Sequence, residues 1–313
     1  MSLLLQYTLI YASVLLLVAL GGCFSEHSGV VNLGLEGIMV IGALGGALVM
    51  RGMPGLSAPA MILMVILGSV AAGMVFSLLL AVAAINFKAD QTLVGTAMNL
   101  LGTAAATVLV KALNMASDPN NVSSAIQYIN QKKAFALVKI GKFEVSWFMV
   151  IAVVLLIASH IVLYKTKFGL RLMACGEHPQ AADSVGIDVK KMRYAGVLIS
   201  GFLGGLGGIV YITAGVSEWK FENGVAGFGF LALAVMIFGQ WKPKYIGLAA
   251  LLFGLFRALS NVYTGFDFLA ALNLPSTVYN MLPYIVSLIV LALFSKNSRA
   301  PKAEGIPYDK GQR

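Results

Sequence analysis

Long apolar runs alternate with short polar stretches along almost the whole chain. Runs able to span roughly 30 Å of hydrocarbon fall near 4–23, 31–50, 58–85, 92–112, 145–164, 192–214, 225–240, 245–260 and 279–295. The pattern predicts about nine transmembrane helices, within a range of eight to ten. The 58–85 run is long enough to tilt or to end in a short interfacial piece. The 225–240 run is short and opens on glycines, which predicts a broken or re-entrant helix. The second run opens on Ser28-Gly29-Val30-Val31-Asn32-Leu33-Gly34-Leu35-Glu36-Gly37, so an amide and a carboxylate stand at its start. A carboxylate in lipid is costly unless it faces protein or water, which marks Glu36 as a functional candidate. The glycines around it permit close helix approach.

Composition agrees with the pattern. Of 313 residues 59% are hydrophobic and 11% charged, under half the roughly 25% of a soluble domain. Mean hydropathy is +0.86. An all-α polytopic membrane protein follows. The net charge of +9 sits in short inter-helix segments rather than on one face, as topogenic charge does. Placing the N-terminus outside puts fourteen Lys and Arg on the cytoplasmic side against seven outside, with Arg257 left over inside a span. The C-terminus is then cytoplasmic. The transmembrane domain is expected over 1–295, with an external loop at 113–144, and the polar tail 296–313 is expected to be disordered.

Leu20-Gly21-Gly22-Cys23 imitates a lipoprotein cleavage site, but no Lys or Arg precedes it until Arg51, so 4–23 is read as a retained first span. Cys23 and Cys175 form no framework, and His27, His160 and His178 have no metal-ligand spacing. No Gly-x-x-x-x-Gly-Lys-Ser/Thr occurs, so no phosphate cradle is expected in this chain. Gly227-x-Gly229-x-x-Ala232 lacks the strand before it that a dinucleotide site needs and reads as helix packing. Nothing points to catalysis.

The one long internal loop, 165–191, reads as two short helices. Phe168–Gly176 is amphipathic with Gly176 as its C-cap; a second follows from Pro179 and stops at Gly186. Such a knob suits docking into a groove on a partner, although an ordinary polar connection has the same composition. The phrase Gly169-Leu170-Arg171…Gly176-Glu177-His178-Pro179-Gln180-Ala181-Ala182…Gly186-Ile187 resembles the coupling-helix region of permease subunits in bacterial ABC importers. Gly29–Gly37, Asp90–Leu101 and Gly227–Ala234 with Ile237–Trp241 are similar to the nucleoside or simple-sugar branch, related to the ribose and branched-chain amino-acid permeases. The resemblance runs from about residue 8 to 295.

The resemblance implies a permease subunit of an ATP-driven importer in the cytoplasmic membrane, carrying nucleosides. A sugar, free purine or riboflavin are the alternative cargoes, and an ion-coupled secondary transporter is the alternative class. It implies partners: a second homologous permease, an ATPase subunit with two nucleotide-binding domains that holds ATP and Mg, and an external substrate-binding protein. The chain itself is expected to be no enzyme and to hold no cofactor or metal. Gly169, Arg171, Gly176, Glu177, His178, Pro179 and Ala182 would carry ATPase coupling.

A nucleoside needs hydrogen-bond partners and flat apolar faces. Thr92, Thr96, Asn99 and Thr103 recur at helical spacing and share one face. Together with Asn32, Phe228 and Phe230 they are the pathway candidates, with Asn99 nearest the cargo. Inter-helix hydrogen bonding is the competing reading for the polar ones. Glu36, placed by the topology at the cytoplasmic mouth of the second span, is read as an inner gate. Gly201, Gly204, Gly205, Gly207 and Gly208 mark a tight helix contact, within the chain or at a dimer seam.

Overall fold

A computed structural model of the protein describes residues 2–128, 131–140, 143–213, 218–266, 275–294 and 300–310. Of the basic residues in the topology argument, Lys142, Lys296, Arg299 and Arg313 lie outside them. The chain is built of helices: α1 (Ser2–His27), α2 (Leu35–Gly52), α3 (Ala58–Ala81), α4 (Gln91–Ser117), α5 (Trp147–Lys165), α6 (Lys167–Glu177), α7 (Pro179–Ser184), α8 (Val189–Thr213), α9 (Phe228–Phe238), α10 (Pro243–Val262) and α11 (Ser276–Phe294). Among the described residues seven helices are long and apolar enough to cross a membrane: α1 to α5, α8 and α10. A π-helical turn, Val82–Asn86, prolongs α3, which accounts for the length of that apolar run.

The first run is one helix to His27. The core forms where α8 meets α1, α2 and α3, and α1 packs against α10 on its other side. Glycine makes this closeness possible. A methyl group at Gly208 would lie 1.9 Å from the Met39 carbonyl oxygen, and one at Gly42 would lie 2.2 Å from the Cα of Gly205. The glycine run of α8 is therefore a seam within the chain. The stretches of α3, α4 and α5 that carry Leu63, Val75, Leu100, Val108 and Val154 expose apolar side chains, as helices facing lipid or another subunit do.

The loop 113–144 folds in part. At one end of the bundle β1 (Ala125–Gln127) pairs antiparallel with β4 (Glu218–Lys220), and β2 (Ala136–Ile140) with β3 (Phe143–Ser146). The α6–α7 knob lies at the opposite end. There the structure corrects the expectation of a disordered tail. Residues 300–310 are packed against the protein, with Pro301, Ala303 and Tyr308 buried, because apolar side chains in this polar segment find a ready surface.

Candidate functional site

Two helices begin inside the bundle, and Glu36 joins them. After α1 ends at His27, residues 28–34 run back into the protein without helical structure before α2 starts at Leu35. Irregular backbone at membrane depth survives only where protein or trapped water satisfies it, and here protein does. Val31 N–H donates to Gln91 Oε1 at 2.7 Å, Asn32 Nδ2 to Ser200 Oγ at 2.8 Å, and Gly34 N–H to Asn32 Oδ1 at 3.1 Å. Asn99 completes the set by accepting from Gly37 N–H at 2.8 Å and donating to the Leu33 carbonyl at 2.8 Å. Asn99 thus uses one N–H and its oxygen on the backbone break, and Asn32 ties the same break to Ser200 of α8, so both residues shape this site.

The second interrupted element is α9. The chain leaves β4, turns through Phe221–Asn223, and passes left-handed residues Gly224 (φ +56°), Ala226 (φ +52°) and Gly227 (φ +78°) before α9 begins. Three positive-φ residues in four turn the chain sharply, and glycine at two of them lowers the strain. The N-terminus of α9 presents free N–H groups and a positive dipole end. Glu36 answers it: its carboxylate accepts from Gly227 N–H at 2.8 Å and from Gly229 N–H at 2.7 Å. A methyl at Gly229 would lie 2.5 Å from the Glu36 amide nitrogen, so glycine is required for this approach.

The position of Glu36 departs from the expectation. It is in the first turn of α2, yet not at the mouth of the bundle. Trp241, just beyond α9, bonds to Glu26 and His27 at the α6–α7 end. The eleven residues of α9, at about 1.5 Å rise each, put Glu36 about 16 Å in from that end. The inward course of 28–34 is the reason.

Aromatic rings cluster on the other side of this junction. Phe228 is fully buried, with Tyr211 at 4.5 Å and Tyr11 at 5.6 Å between ring centroids. The Arg257 guanidinium lies over the Phe228 ring at 5.3 Å, and its Nε is buried with no hydrogen-bond partner among the described residues. Tyr284 donates its hydroxyl to the Ala226 carbonyl at 3.0 Å. Phe230 is 48% exposed, and Thr103 faces Gly224 from α4. Thr92 and Thr96 sit on the exposed side of α4, where Thr96 bonds back to the Thr92 and Leu93 carbonyls. The polar stripe therefore divides: Asn99 turns inward and the two threonines outward. The sequence marks Arg257 as a charge inside a span but does not group it with the tyrosines, because the four side chains come from α1, α8, α10 and α11. The signal available was a charge stranded in a span.

The knob is the second region. Thr166 caps α6 by accepting from Gly169 N–H at 3.2 Å. Gly169 packs on α5, where a methyl would lie 2.1 Å from the Val162 carbonyl. Gly176 is not a C-cap, since α6 runs on to Glu177 and ends on His178. Its glycine is needed for another reason: a methyl there would lie 2.3 Å from the His27 carbonyl oxygen. Pro179 opens α7 and Gly186, at φ +83°, follows its end. Pro179 and Ala182 are buried in the knob, whereas Arg171, Glu177 and His178 are exposed. Leu170 (55% exposed) and Val185 (75%) add apolar surface outside every span.

Comparison with known proteins bears on both regions. Residues 4–293 match the family model described as branched-chain amino acid transport system / permease component. The chain is 40% identical to the guanosine ABC transporter permease protein NupQ of Bacillus subtilis over 319 residues, covering 100% of this chain and 98% of that protein. It is 41% identical over 310 residues to the nucleoside ABC transporter permease protein NupC of Lactococcus lactis, covering 97% and 96%. The nucleoside ABC transporter permease protein NupB of the same organism is 27% identical over 158 residues, 50% of this chain and 42% of that one.

Proposed function

Because the chain belongs to the family of branched-chain amino acid transport system / permease components, as a multi-pass protein of the cytoplasmic membrane, we propose that it is the permease subunit of an ATP-driven importer of nucleosides. The similarity to NupQ and NupC over nearly the whole chain carries the choice of cargo. The likeness to NupB as well as NupC, two permeases of one organism, supports a heteromeric pair of permeases. ATP and Mg are held by a partner ATPase with two nucleotide-binding domains, and an external binding protein delivers the nucleoside.

In this reading the α6–α7 end is cytoplasmic and the strand end external. The pathway passes the junction of α2 and α9, where non-helical backbone at depth lines it. Thr103, Phe230 and Tyr284 border the turn into α9, and Phe228 and Arg257 back it. A nucleobase offers a flat face and ring or carbonyl acceptors, which suits aromatic rings beside a guanidinium. Glu36 is then the hinge post of α9 rather than a cargo ligand: with its oxygens engaged by Gly227 and Gly229, it fixes where α9 starts. Motion of the knob, passed through Gly176 to the end of α1 and through Trp241 to α9, shifts that junction between outward-open and inward-open states.

The test uses the assembled complex with its ATPase and binding protein. Guanosine or uridine raises ATP hydrolysis and ribose does not. Val185→Asp, at an exposed apolar position of the knob, lowers the cargo-stimulated rate at least tenfold while the permease reaches the membrane at the wild-type level. Stimulation by ribose alone contradicts the cargo, and full stimulation in V185D contradicts the coupling role of the knob.

A further inference from the structure

Residues 300–310 lie between the α6–α7 knob and the backbone break at 28–34, and they hold both. On the knob side Ala303 N–H donates to the Gly176 carbonyl at 2.8 Å. Tyr308 is buried in a cluster with Cys175, Ala182 and Val189, from α6, α7 and α8, and Lys310 pairs with Asp183 of α7 at 3.8 Å. On the break side Gly305 packs on Val31, where a methyl would lie 3.5 Å from Cγ2. Arg193 Nη1 donates to the Ile306 carbonyl at 2.9 Å. The same guanidinium lies under Gly29, where a methyl would be 2.8 Å from Nη2. Asp309 pairs at 2.7 Å with Lys88, just before Gln91, whose side chain holds the Val31 N–H.

These contacts are unequal. Lys88 and Asp309 are 46% and 40% exposed, and ion pairs in water contribute little. The grip on the knob therefore comes from Tyr308, a buried aromatic side chain. The grip on the break comes from Arg193, which is only 1% exposed. A buried guanidinium needs hydrogen-bond acceptors, and among the described residues the Ile306 carbonyl is the one it reaches. Arg193 thus pins the tail beside Gly29. Gly305, at φ +76°, supplies the left-handed bend that lays the tail on Val31, a conformation a side chain with a Cβ resists. A segment held at both ends passes on displacement, which a tail resting on the knob alone would not.

We propose that residues 300–310 are a mechanical link that carries displacement of the α6–α7 knob to the 28–34 segment, with Tyr308 and Arg193 as its positioning residues. The proposal rests on the coupling role given to the knob above and is independent of the cargo. Gly176 passes the knob's motion to the end of α1, which it touches at the His27 carbonyl. The tail reaches a different target. When the knob moves, it draws Gly29 and Val31 along, and the segment they belong to leads directly into Leu35 and Glu36 at the start of α2. The junction of α2 and α9 is thereby driven from the α2 side as well as through Trp241.

The test needs no cargo. Leu33→Cys, at a half-buried position of the break, reports on the segment, and the native Cys175, buried in the cluster with Tyr308, reports on docking of the tail. The assembled complex is treated with N-ethylmaleimide with and without ATP and Mg, and labelling at 33 and 175 is located by peptide mass spectrometry. With the tail intact, ATP changes the rate at 33 at least threefold. In Tyr308→Ala the tail leaves the knob: Cys175 labels at least fivefold faster, and the ATP effect at 33 falls to about none. Gly305→Val breaks only the contact with the segment, so Cys175 stays protected while the ATP effect at 33 is lost. Either variant suffices if the other fails to accumulate. An ATP effect at 33 that survives in a variant overturns the link, since the tail then only buttresses the knob. Its absence in the intact chain while cargo still stimulates ATP hydrolysis overturns the link and leaves the importer reading standing. Absence of both contradicts the importer reading, and the link with it.

Discussion

Glu36→Ala is expected to reduce uptake to below about one hundredth of wild type while the chain still inserts. Removing the carboxylate leaves the part-buried Gly227 and Gly229 N–H groups at the start of α9 without their acceptors. Each orphaned donor costs about 1–3 kcal/mol, and about 1.4 kcal/mol is tenfold in an equilibrium. The two together are enough to displace the start of α9. Glu36→Gln is intermediate, since one carboxamide oxygen can serve one N–H while its NH₂ group meets the other as donor against donor. Transport by cells expressing each variant, normalised to membrane abundance, gives the order wild type, Gln, Ala. Near-normal uptake in E36A would show that α9 is held in place by packing alone.

Gly208→Val is expected to act earlier, on accumulation of the protein. The group 1.9 Å from a Cβ at this position is the Met39 carbonyl oxygen, part of the α2 backbone, so no side-chain rotation relieves the clash. α2 and α8 must part, and with them the Asn32–Ser200 bond that anchors the 28–34 segment. Overpacking of this kind costs about 1–3 kcal/mol even where neighbours can adjust. Backbone against backbone leaves little adjustment, so membrane abundance falls at least tenfold. Gly55→Ala is the matched control, because nothing lies within 4 Å of a methyl there. Quantitative immunoblots of membrane fractions distinguish the two, and equal abundance would contradict the tight α2–α8 seam.

Helix-forming apolar runs and the glycine seam were legible because they rest on local periodicity and on small residues at fixed spacing. The short α9 and the two helices of the knob follow from the same signals, whereas the last turn of α1, beyond Cys23, lies outside the apolar run 4–23. Depth was not legible. Residues 28–34 look like an ordinary connection, and only Gln91, Ser200 and Asn99, each far away in sequence, draw them inward. For that reason the sequence pattern puts Glu36 at a mouth, and it does not reveal that the Asn99 amide bonds the Gly37 N–H and the Leu33 carbonyl. The tail was read from its polar composition. Its packing depends on a surface assembled from α1, α6, α7 and α8, which a composition cannot contain. Glu26 and Trp241 meet across 215 positions, and no local pattern announces such a pair.

Membrane vesicles holding the full complex of two permeases, ATPase and binding protein test the central claim most directly. Labelled guanosine is supplied on the external side, with or without ATP inside, and unlabelled uridine or ribose is added as competitor. The account predicts ATP-dependent accumulation against the gradient, reduced by excess uridine and unaffected by ribose. Accumulation driven by an ion gradient without ATP, or competition by ribose instead of uridine, would contradict it.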